Sequence, residues 1–131
     1  MKKRVLLLTA IGLVLAAAGL ALAQAPNAPA KNVPANVLDV FKRNCVHCHA
    51  GALAPKGLKL VQGKAEAAIG ASSKEAPALK LINPADPAAS YLLMKIEGAA
   101  GIQGKKMPPG KTLAEADLRT LKDWILGLKA N

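Results

Sequence analysis

From Val33 onward the apolar positions keep a helical rhythm: Val37, Val40, Phe41, Cys45 and Cys48 recur on one face. Pro34 stands where a first helical turn tolerates a missing N–H. The spacing predicts a helix over about 34–49. Residues 51–83 are interrupted by Gly51, Pro55, Gly57, Gly63, Gly70 and Pro77, which excludes long regular elements and leaves room for a short helix near 64–69. Asp86-Pro87 then reads as an N-cap with proline at N1, and Ala88, Leu92 and Ile96 form a stripe that stops before Gly98. A second helix is expected over about 87–97. The Gly- and Pro-rich stretch 98–111 is a loop, and it carries Met107. Thr112 and Glu115 have the spacing of a capping box. Leu118, Leu121, Ile125 and Leu128 line the face that follows, with Trp124 beside them, predicting a last helix over about 113–128. No alternating strand pattern and no internal repeat occurs, so the expected fold is all-α.

Ahead of this pattern, Met1 to Arg4 is basic and Val5 to Ala23 is an almost unbroken apolar run ending in Ala21-Leu22-Ala23, the small-residue pattern of a cleaved export signal. Residues 1–23 are therefore read as a signal peptide, 24–32 as a flexible Pro/Ala/Asn leader, and 33–131 as one domain. The expected location is exported, in the periplasm or on the outer face of the cytoplasmic membrane. An uncleaved run would instead give membrane association.

Removing Lys2, Lys3 and Arg4 from the 18 basic residues leaves 15 against 8 acidic ones, a formal charge of +7. Such a chain favours anionic partners. Nucleic acid is the weakest of them: Phe41, Tyr91 and Trp124 are the only aromatic residues that could stack on bases, and after the signal no basic run exceeds two residues. Three aromatics also supply little bulk for a core. A bound group or other staple is expected to fill the centre.

Cys45-Val46-His47-Cys48-His49 has the spacing of a c-type haem attachment sequence. Residues at i, i+3 and i+4 share a helical face, so both cysteines can reach one porphyrin while His49 offers an imidazole nitrogen to its iron. Zinc would need these same four Cys and His side chains, drawn from five consecutive residues, to wrap around one ion. A thioredoxin-like pair would need a βαβ context, and a plain disulfide would leave the thin core unexplained. His47, between the cysteines, is expected to point away. For the far side of the iron the candidates are Met94 and Met107, with Lys105 or Lys106 as remote alternatives. Met94 falls inside a predicted amphipathic helix, where methionine usually fills space. Met107 lies in a loop stiffened by Pro108 and Pro109 and is the expected sixth ligand.

The attachment motif after a helix containing Phe41, the later Met107-Pro108, and the closing helix with Leu121 and Trp124 resemble the class I cytochrome c family over about 33–129. Gly57-Leu58-Lys59-Leu60, Asn83-Pro84-Ala85-Asp86-Pro87 with Ser90-Tyr91-Leu92, and Met107-Pro108-Pro109-Gly110 resemble the planctomycete-type cytochrome c domain in particular. The resemblance implies three to five helices around one covalently bound haem c, thioethers at Cys45 and Cys48, axial ligation by His49 and Met107, and a crossing of the first and last helices with Phe41 near Leu121 and Trp124. Val37 stands where the family commonly has glycine, implying a wider crossing. Pro55 is the candidate to hold the proximal histidine through its carbonyl, although it lies closer to His49 than the family pattern expects. The implied function is one-electron transfer between exported or membrane redox proteins, with no enzymatic step and no small-molecule substrate. The alternative is a haem protein with an open sixth site, ligand-binding or peroxidase-like. Lys105, Lys106 and Lys111 near Met107, and Lys56 and Lys59 after His49, point to redox partners with an acidic docking patch.

Overall fold

The computed structural model describes residues 32–128; the expected signal 1–23 and residues 24–31 of the leader lie outside them. Among the described residues there are three α-helices, α1 (Ala35–Asn44), α2 (Tyr91–Glu97) and α3 (Glu115–Gly127), three short 3-10 turns at Pro55–Gly57, Ala65–Ala68 and Pro87–Ala89, and no strand. Two isolated bridges, Ile69 with Ile82 and Ser72 with Lys80, tie the irregular segment 69–82 together. The all-α expectation holds for this portion, and none of the described helices is long and apolar enough to cross a membrane.

Helix α3 packs on α1 and α2. Val37, Phe41, Leu121 and Ile125 are fully buried in one core cluster, which also takes in Ile82, Leu93 and Ile96. Phe41 meets Trp124 edge to face, with centroids 6.0 Å apart and rings at 81°. That geometry sets the positive ring edge against the negative face of its neighbour. Arg43 on α1 reaches Asp117 on α3 at 2.6 Å, and Asn44 donates to the other oxygen of the same carboxylate at 2.8 Å. The C-terminal end of α1 is thereby held at a fixed place.

Element boundaries differ from the sequence pattern at three points. Helix α1 stops at Asn44 rather than 49, because the N–H groups of Cys45 and Val46 both turn to the Phe41 carbonyl, at 2.7 and 2.9 Å. The predicted helix 87–97 breaks at Ser90, whose backbone is extended while its buried hydroxyl accepts the Asn83 N–H at 2.9 Å. Asp86 makes no side-chain cap. The Thr112–Glu115 capping box does not form either: α3 starts at Glu115 after an extended Ala114, and Leu113 is drawn into the core instead.

Candidate functional site

The segment after α1 is a compact turn. Cys48 and His49 both donate their N–H groups to the Cys45 carbonyl, at 3.1 and 2.9 Å, so the three side chains emerge from one loop of backbone. Cys45, Cys48 and His49 all line a cleft enclosing about 1100 Å³ of non-protein space, counting its open mouth. His47 is exposed and is absent from that lining. Cys45 and Cys48 are not joined to each other as a disulfide, and burial raises the Cys45 thiol, before any attachment, to about 11.

The imidazole of His49 has a defined polarity. Its Nδ1 lies 3.0 Å from the Leu58 carbonyl, which can only accept, so Nδ1 carries a proton and Nε2 is the ring nitrogen left to face a ligand. Pro55 does not serve this purpose. Its own carbonyl accepts the Leu58 N–H at 3.2 Å to close the Pro55–Gly57 turn, and the carbonyl that meets the ring is that of Leu58, the residue after the turn. Leu60 adds a second tie by donating to the His49 carbonyl at 2.7 Å.

Met107, Pro108 and Pro109 line the same cleft. The Met107 N–H donates to the Lys95 carbonyl at 2.8 Å, docking the loop on the last turn of α2. Met94, on α2 as expected, is half-buried and does not line the cleft. Leu58, Leu60, Leu81, Leu92 and Ile96 supply apolar walls, and Lys74, Glu75, Tyr91 and Lys95 a polar stretch. Glu75, Tyr91 and Lys95 were not legible as site residues, although Tyr91 and Lys95 sit four residues apart beside the Leu92–Ile96 stripe. Lys105 is exposed, Lys106 lays its stem against Gly98, and Lys111 donates to the Asn44 side chain at 3.1 Å.

The chain is 37% identical over 90 residues to Cytochrome c-552 of Nitrosomonas europaea, an alignment spanning 67% of this chain and 73% of that protein. It belongs to the c-type cytochromes. No family model and no solved structure matches it. Membership makes the chain an electron-transfer protein with covalently bound haem c. The residues present fit such a group: two cysteines on one turn, an imidazole whose Nε2 is not taken up by the Leu58 carbonyl, a thioether and apolar side chains all line a single cleft. Thioether and imidazole are donors suited to haem iron.

Proposed function

We propose that this c-type cytochrome carries one electron at a time on a single haem, joined through Cys45 and Cys48 and held axially by His49 and Met107. The observation that supports the reading is that all four residues line one cleft, three from the Cys45–His49 turn and the fourth from the loop docked on Lys95. When bound, the iron supplies a one-electron couple. Leu58 orients the imidazole and raises its basicity through the proton on Nδ1. The Met107 loop fills the far side, and the leucine-rich walls exclude water. The motifs from Gly57 to Leu60, from Asn83 to Leu92 and from Met107 to Gly110 favour the planctomycete-type branch. The apolar run 5–23 supports export to the periplasm.

Intact-mass measurement of denatured protein from cells competent for haem attachment should show one haem added to the chain; a mass without haem would overturn the reading. Replacing Met107 by Ala should open the iron to exogenous ligands, and carbon monoxide binding readily to the reduced unmodified protein would refute the distal assignment. The partner we propose is a redox protein with an acidic patch, met by the exposed Lys56 and Lys105 and the half-buried Lys59. Its encounter rate should fall as the screening length shrinks from about 30 Å at 0.01 M salt to about 10 Å at 0.1 M. A salt-independent rate, unchanged by Lys105→Glu, would remove that role from the lysines.

A further inference from the structure

Lys95 is nearly buried yet ionisable, with 7% of its side chain exposed, and its ammonium donates to Glu75 Oε2 at 2.9 Å and to the Gln103 carbonyl at 2.6 Å. The Gln103 N–H donates to the Tyr91 hydroxyl at 2.9 Å, and that hydroxyl donates to the same Glu75 oxygen at 3.0 Å. These bonds close a ring: carboxylate, phenol, loop backbone, ammonium, carboxylate. Both backbone polar groups of Gln103, in the loop bearing Met107, are taken up by it. Glu75 is fixed in turn by buried Ser73, whose hydroxyl accepts the Glu75 and Ala76 N–H groups at 3.2 and 3.1 Å. The Met107 N–H docks on the Lys95 carbonyl, so one residue fastens the loop by its main chain at Met107 and by its side chain at Gln103.

A carboxylate that only neutralised Lys95 could do so without Tyr91. Here the phenol is shared between carboxylate and loop, so the lysine and the tyrosine converge on the loop from two turns of α2 with Glu75 as their common anchor. We propose that Glu75 is a positioning residue for the distal methionine, acting through Tyr91 and Lys95 to hold the loop that presents Met107 to the cleft. The inference rests on the reading of Met107 as the sixth ligand. It assigns Glu75 control over how often that side chain leaves its place.

The test uses purified ferric holoprotein as wild type, Glu75→Gln, Tyr91→Phe, Met107→Ala and, as a control ion pair on the exposed face of α3, Glu115→Gln. Two signals are read: the long-wavelength absorption band of thioether-ligated ferric haem, and the affinity for added imidazole. Glu75→Gln and Tyr91→Phe should weaken the band and bind imidazole about tenfold more tightly, the factor expected from one lost charge-assisted hydrogen bond. Glu115→Gln should move neither. Wild-type band and affinity in both Glu75→Gln and Tyr91→Phe would overturn the proposal. If Met107→Ala keeps the band, the ligand reading itself fails, and with it the premise. Should Glu75→Gln not fold, Tyr91→Phe decides through hydrogen exchange: faster exchange at the Gln103 and Met107 amides supports the clamp, and unchanged exchange refutes it.

Discussion

The two walls of the cleft are built by different means. The wall carrying His49 is knit by backbone hydrogen bonds within Cys45–Leu60 and rests on apolar packing, with Phe41 and Leu60 in the core cluster and Cys45, Val46 and Leu58 packed against it. The wall carrying Met107 has little regular structure and is fastened by ionised and hydroxyl side chains from Glu75, Tyr91 and Lys95. A short-range backbone turn has few alternatives once its helix is packed. A side-chain ring joining three separate segments depends on each partner and on its charge state. The first wall should therefore fail when volume is lost, and the second when charge is lost.

Truncating Phe41 to Ala should have the largest effect, about 3–5 kcal/mol of stability, because it empties a fully buried site and removes the edge-to-face partner of Trp124. Urea denaturation of the holoprotein measures it, and if the walls are separate, the variant should bind imidazole at the distal side as weakly as wild type. Glu75→Leu should cost about 1–3 kcal/mol, below the roughly 3–5 kcal/mol for breaking a fully buried pair, since Glu75 keeps 24% of its side chain in solvent. That loss should come with easier distal ligand binding, the reverse of the Phe41 pattern. Equal distal effects from the two variants would dissolve the distinction.

The same contrast governs what could be read from sequence. Cys45, Cys48 and His49 are legible because their chemistry is packed into five residues, and the apolar stripes place the helices correctly in order and kind. Helix ends depart from the sequence pattern where a polar group finds a better partner through space: Ser90 serves Asn83, and Asn44, whose side chain also donates to the Val40 carbonyl, serves Asp117. The family pattern points to a proline as the holder of His49, but the acceptor is the Leu58 backbone, and every residue type carries a carbonyl. Glu75 is silent in the sequence because its meaning comes from Tyr91 and Lys95, which the fold alone brings to it.

Acid should weaken both walls through a carboxylate each. The Lys95 hydrogen bond, with further help from Tyr91, holds the Glu75 carboxyl below its ordinary value; the Arg43 and then the Asn44 hydrogen bonds do the same for Asp117. In each case the unfolded chain takes up the proton first as pH falls. The stability these groups contribute is thus complete at pH 7 and is lost as pH drops from the ordinary carboxylate values of about 4 through the depressed folded ones. Urea midpoints should be flat in this respect between about pH 7 and 5 and fall below about pH 4, and Glu75→Gln and Asp117→Asn should each flatten the fall. A fall of unchanged depth in both variants would assign the acid response to other groups.

The smallest effect is expected at Lys56, where stability and function should pull in opposite directions. Its backbone lies in the left-handed region, with φ at 56° and ψ at 14°, and Gly57 follows at φ 71°. A side chain there costs about 1–2 kcal/mol, which glycine would avoid while giving back about 0.5–1 kcal/mol in chain entropy. The Lys56 side chain is exposed, so little packing is lost with it. Lys56→Gly should accordingly stabilise the fold by up to about 1 kcal/mol in urea denaturation, and Lys56→Val should destabilise it. Strain retained at the edge of the cleft suits a residue kept for its charge. If Lys56 steers an acidic redox partner, the more stable glycine variant should transfer electrons to it more slowly at 0.01 M salt and converge with wild type as salt rises to about 0.1 M. Equal rates at low salt would leave the lysine no part in the encounter, and a loss of stability in the glycine variant would show that the turn gains more from the lysine than its backbone strain costs.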